Sequence, residues 1–210
     1  MLRKRAKKYF GGNSPYITAL VSEKNMNDAS MSNNSLSNSE FSPLSGSEPK
    51  FDPVKWNNNP KIKDTHNCYS YALNSLVAAR LNKPQPGYFS KYPHISNGNY
   101  TCDPFVKRLR KDIPSLYDTS FRGKCKSGFY KIFMAVTKDS PDTDYHFYRQ
   151  DNNGYWSHKP GRTDITNKDA KGKLIINPNL ADRKYPYYNY GSGCGFFCLN
   201  TKLSRATSTM

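Results

Sequence analysis

Cys68, His146 and His158 have the residue types and the chain order that nucleophilic sulfur chemistry needs. A free thiol is mostly protonated at neutral pH, and a helix N-terminus together with a nearby imidazolium lowers its pKa toward the reactive thiolate. Cys68 stands at the start of a predicted helix, in His66-Asn67-Cys68-Tyr69-Ser70-Tyr71-Ala72-Leu73, so local sequence supplies the first effect. His146 is the candidate general base, and His158 is the candidate partner that fixes its tautomer and orientation. Such a set would attack an amide or ester carbonyl, with His146 taking and returning the proton.

These groups must be positioned by a helix and a hairpin. Tyr69, Ala72, Leu73, Leu76 and Val77 fall at i, i+3, i+4, i+7 and i+8, which predicts a helix with one buried stripe, capped by Asp64, Thr65 or Asn67. Pro84-Gln85-Pro86-Gly87 ends that element. Downstream, Asn152-Asn153-Gly154 suits a three-residue hairpin loop with Gly in the left-handed position, pairing Asp151 with Tyr155 and Tyr148 with His158. That register sets His146 and His158 diagonally on one face. A two-residue loop at Asn153-Gly154 would send them to opposite faces, because side chains alternate along a strand.

The remaining elements read as helices first and strands later. Pro53, Trp56 and Pro60 suggest an extended lead-in. A second helix is expected with Asp103 as cap and Pro104 at its first position, Phe105, Val106 and Leu109 facing inward and Lys107, Arg108, Arg110 and Lys111 outward. Strand patterns follow over 129–136, 145–150, 155–159, 174–176 and 196–199. The fold class is therefore α+β, with N-terminal helices packed on an antiparallel sheet.

With 210 residues the chain can bury one good core and carry appendages. Three regions are expected: an extended or disordered basic and polar arm over 1–50, an α+β domain over 51–200, and a tail over 201–210. The arm is rich in Ser and Asn and opens on a basic cluster, Arg3, Lys4, Arg5, Lys7 and Lys8. Lys and Arg total 32 against 16 Asp and Glu, a formal charge of +16 that favours anionic partners, nucleic acid or acidic protein surfaces. An odd cysteine count of 5, no apolar run of spanning length and no secretory leader point to a reduced intracellular setting with free thiols.

Other motifs carry less. Cys194 and Cys198 could offer two metal ligands with Cys102 or Cys125, but their spacing and the missing second pair make them core thiols, and neither metal nor small-molecule cofactor is expected. The glycines at 191, 193 and 195 precede no helix and form no phosphate loop. The stretch Arg183-Lys184-Tyr185-Pro186-Tyr187-Tyr188-Asn189-Tyr190 suits a packed edge, a protein contact or stacking on bases, without a recognised nucleic-acid motif.

A cysteine at a helix start, then a strand histidine, then a polar residue on the next strand resembles the NlpC-type branch of papain-like cysteine peptidases and amidases. The strings Asn67-Cys68-Tyr69-Ser70-Tyr71-Ala72-Leu73, Tyr145-His146-Phe147-Tyr148-Arg149-Gln150 and Trp156-Ser157-His158-Lys159-Pro160-Gly161 resemble a little-characterised protein family of large nucleocytoplasmic DNA viruses. This resemblance implies a papain-like domain and a virion component of minor capsid type, made in the host cytoplasm or nucleus, whose arm contacts neighbouring capsid subunits. The alternative it implies is an active Cys-His hydrolase using Cys68, His146 and His158, with Asn67, His66 or the Cys68 backbone N–H as oxyanion donor.

Overall fold

Residues 129–136 read Phe-Tyr-Lys-Ile-Phe-Met-Ala-Val, apolar at nearly every position, and a strand of that kind must be covered on both faces. They form β2 (Phe129–Val136), the middle of a five-stranded antiparallel sheet ordered β1-β5-β2-β3-β4. The other strands are β1 (Tyr117–Thr119), β3 (Tyr145–Gln150), β4 (Trp156–Ser157) and β5 (Ser192–Asn200). The computed structural model describes residues 40–76, 83–95, 100–140 and 142–200, all within the unit Leu36–Met210. The basic cluster at 3–8, Val77 and the 201–210 tail lie outside the described residues.

One face of the sheet carries the larger core, where Ile132, Met134, Phe147, Phe197 and Leu199 pack on Tyr69, Phe105 and Leu109. Those last three come from α3 (Cys68–Ala72) and α4 (Cys102–Asp112). Truncating one of them, Leu109 for example, would cost roughly 2–5 kcal/mol. The opposite face packs Phe133, Ala135 and Tyr148 on Trp156, Ile175 and Tyr190, so irregular chain between 156 and 190 covers it. The expected strand at 174–176 is there reduced to isolated bridges, Trp156 to Ile175 and Lys168 to Leu174.

Local chemistry explains where the helices depart from expectation. Asp52-Pro53 and Asn59-Pro60 each place a capping side chain before a proline at the first helical position, so the expected lead-in forms α1 (Pro53–Asn57) and α2 (Pro60–Thr65). Helix α3 stops at Ala72 because Asn74 takes a left-handed backbone, φ 51°. Ser75 N–H then donates to Ser70 O and Asn74 N–H to Tyr71 O, which closes the helix end as a Schellman motif. Helix α4 begins at Cys102, after Thr101, rather than after Asp103.

Residues 40–50, the end of the expected arm, bond to β2, β3 and the hairpin loop through both side chains and backbone. Gln150 donates to Ser42 O at 2.7 Å, Asn152 N–H to Pro49 O at 3.0 Å, and the Phe41 ring meets Tyr155 edge-on. Arg149, fully buried, completes the anchoring of α3. It stacks 4.0 Å from the Tyr71 ring, donates to Tyr71 Oη at 2.8 Å and pairs with Asp151 at 3.0 Å.

Disulfides join Cys102 to Cys194 and Cys125 to Cys198. The register of β5 on β2 slips between Met134–Gly195 and Ala135–Gly193, which makes Cys194 the extra residue of a bulge. Cys194 consequently packs with Cys102 on the α4 side, although it has the same parity as Cys198, which pairs with Lys131 on the other face. The expectation of free thiols at these four positions is thus corrected. Only Cys68 is free among the cysteines.

Candidate functional site

The hairpin forms with the three-residue loop. Asp151 N–H donates to Tyr155 O at 2.9 Å, Gly154 has φ 87°, and Arg149 and Gln150 pair with Ser157 and Trp156. His146 and His158 therefore share a face, and His146 Nε2 lies 2.7 Å from His158 Nδ1. The two candidate histidines come together as the sequence implied.

Cys68 takes a different partner. Asn67 caps α3 through Ser70 N–H at 3.0 Å and fixes the cysteine against the edge of β3, where its thiol donates to Tyr145 O at 3.8 Å. The two-residue period of β3 sends Tyr145 and Phe147 into the α3 side core, while the His146 ring packs on Tyr148 and Tyr190 on the other side. The sulfur thus meets the strand's backbone, and the imidazole is directed to His158.

The local electrostatics oppose thiolate chemistry. Burial, followed by the Asp144 carboxylate, raises the Cys68 thiol pKa. Burial lowers both imidazoles, His158 to about 4, and the His158 ring further disfavours charge on His146. At neutral pH the pair holds no imidazolium to stabilise a thiolate. Helix α3, five residues long, adds little dipole of its own.

A roof closes over the cysteine. Asn67 Nδ2 donates to Pro84 O at 2.9 Å and Tyr145 Oη donates to the same carbonyl at 3.1 Å, so this chain's own loop covers the thiol, which is 5% exposed. Asp112 fastens the loop by accepting from Gly87 N–H, Ser90 N–H and Ser90 Oγ at 2.7–2.8 Å. Asn67, one of the candidate oxyanion donors, is spent on this roof and on its cap. His66 turns Nδ1 to Thr65 Oγ1 and Ile62 O.

Beside the pair, Lys159 is buried and its ammonium donates to Lys63 O, Gly161 O and Thr163 O at 2.7–3.0 Å, although burial pulls its pKa down to about 8. These bonds hold the 158–163 turn against α2. Among the described residues no group of three or more His, Cys, Asp or Glu side chains is placed to hold a metal ion. A groove of about 560 Å³, lined by Phe121, Arg122, Leu174, Ile176 and Leu180, contains none of the Cys68, His146 or His158 side chains.

No protein-family signature matches the chain, and no solved structure matches it. Over 141 residues it is 38% identical to insoluble matrix shell protein 1 of Ruditapes philippinarum, an alignment covering 67% of this chain and 85% of that protein. The chain belongs to the insoluble matrix shell protein 1 family.

Membership of the insoluble matrix shell protein 1 family overturns the expected virion component, its capsid neighbours, its virion location and the Cys-His hydrolase alternative. The physical grounds agree, because the thiol is roofed and neutral and its expected base is committed to a second histidine. No described helix is long and apolar enough to cross a membrane. Sequence reasoning missed the disulfides, and their signal was present: the four cysteines weighed together as metal ligands are the ones that pair.

Proposed function

We propose that this chain is a structural component of an insoluble shell matrix, acting by assembly rather than by turnover. The observation that carries the reading is the 38% identity across 85% of insoluble matrix shell protein 1. Two disulfides that staple β5 from both faces suit a protein that persists in an oxidising setting outside the reducing cytoplasm. A formal charge of +16 suits contact with acidic matrix polymers.

The scaffold, on this reading, is papain-like, with the Cys68 helix packed on the strand of His146 and the sulfur kept as a packing group. The contact of α3 with β3 and the chain order of Cys68, His146 and His158 support it. An experimental structure that superposes on papain-like domains through α3, β2, β3 and β5 is the expected outcome for the fold.

The role is tested in hard tissue. Acid demineralisation followed by separation of soluble and insoluble matrix should place peptides of this chain in the insoluble fraction by quantitative mass spectrometry. Recovery from cell extracts alone, with none in the matrix, would overturn the proposal.

A further inference from the structure

Proton placement on the histidine pair is fixed by its neighbours. His158 Nε2 lies 3.0 Å from the Lys168 carbonyl, which can only accept, so Nε2 carries the hydrogen. Neutral His158 then presents a bare lone pair at Nδ1, and His146 Nε2–H donates to it across 2.7 Å. This tautomer assignment follows from the hydrogen-bond network.

His158 also closes a loop. Its backbone exchanges two hydrogen bonds with Thr166, at 2.8 and 2.9 Å, while its ring reaches Lys168 on one side and β3 on the other. The ring therefore ties the 158–169 segment to the sheet through an N–H···N bond that a neutral or singly protonated pair keeps and a doubly protonated pair cannot, because both facing nitrogens then carry hydrogen.

The groups facing the pair offer little to a second charge. From β3 comes Tyr148, its ring 5.0 Å from His146 and 4.9 Å from His158. Ahead of β5, Tyr190 stacks 4.9 Å from His146 and gives its hydroxyl to Asp144, and Tyr185 lies 6.3 Å from His158. Asp169 favours charge on His158, but its oxygens already accept from the backbone N–H groups of Lys171, Lys173 and Asp182. The other ionisable neighbours, Cys68, Lys159 and Arg183, are buried groups bonded elsewhere.

We propose that the His146–His158 pair is an acid-operated latch: protonation of both rings sets N–H against N–H and charge against charge, and the 158–169 segment leaves the sheet, uncovering Tyr148 and Tyr185. At neutral pH the latch is closed, since burial keeps both rings uncharged. In the open state both imidazoles reach water and take up their protons.

The test is hydrogen exchange of the full chain, followed by mass spectrometry against pH and corrected for the intrinsic rate. Peptides over 158–169 should open with an equilibrium constant rising up to about 100-fold per pH unit from about pH 6 to pH 4, the signature of two protons bound on opening. Peptides of β2 should stay protected throughout. In the double variant His146→Gln/His158→Gln the slope should fall by those two protons, and an unchanged slope would overturn the latch. Opening of β2 together with 158–169 would also overturn it, since that is global acid unfolding. If the double variant does not fold, imidazole nitrogen NMR of the unaltered chain decides. Both rings should carry hydrogen on Nε2 at neutral pH and titrate in step with opening; titration of both rings while 158–169 stays protected would overturn the proposal.

Discussion

Cys68 and His146 meet the same stretch of β3 from different directions, the thiol against the Tyr145 carbonyl at 3.8 Å and the imidazole turned across the sheet to His158 at 2.7 Å. The sulfur behaves as a packing group against β3, where its thiol donates weakly to a backbone carbonyl.

This placement sets its reactivity. In the native chain a neutral amide-type alkylating probe should label Cys68 on the order of a hundredfold more slowly than in denaturant, because the thiol must first be exposed and then ionised. His146→Ala should not slow native labelling further. Fast labelling at neutral pH that disappears in His146→Ala would show a working thiolate pair and refute this account.

The disulfides should carry a large part of the stability. They bridge cysteines separated by 92 and 73 residues, and Cys102→Ser/Cys194→Ser or Cys125→Ser/Cys198→Ser should each cost roughly 2–5 kcal/mol by constraining the unfolded chain less. Guanidinium unfolding of each double variant measures it. Midpoints equal to the unaltered protein would show that neither bridge contributes.

The bulge in β5 decides which faces those bridges reach, and it depends on Gly195, whose φ is 128°. A side chain there is strained, so Gly195→Ala should destabilise by about 1–3 kcal/mol. It should also lower the yield of the Cys102–Cys194 bridge in oxidative refolding, read by peptide mapping. A normal yield with unchanged stability would mean the strand tolerates a regular register.

Alkali should unfold the domain through its phenols. Burial raises the pKa of Tyr69, Tyr71, Tyr130, Tyr145, Tyr148 and Tyr190, so the unfolded chain gives up these protons first. Their contribution is fully present below about pH 10 and is lost as pH rises, by up to about 1.4 kcal/mol per pH unit for each phenol held neutral. Phenolate absorbance and circular dichroism should change together above that pH. Phenolate appearing smoothly, with no fraction tied to loss of secondary structure, would contradict the buried assignment.

The limits of β2 and β3 and the hairpin register were legible in the sequence, because they depend on local alternation and on a glycine that must take positive φ. The helix carrying Cys68 was legible in its cap and buried stripe, but its end was not. Asn74 in the left-handed region overrode a periodic pattern that continued past it. The α1 and α2 helices were hidden by the opposite error, a proline read as a mark of extended chain where an Asx cap stood just before it.

Sequence alone determined that the chain is strongly basic, that helices stand ahead of an antiparallel sheet, and that a histidine pair shares one hairpin face, since each follows from composition or from neighbours a few residues apart. Tertiary structure decided that Cys68 would be roofed by the loop at Pro84, that its expected base would bond a histidine instead, and that four cysteines would close as two bridges. Those outcomes turn on contacts between residues far apart in the chain and on one bulge that reverses the facing of a strand, and no local pattern encodes either.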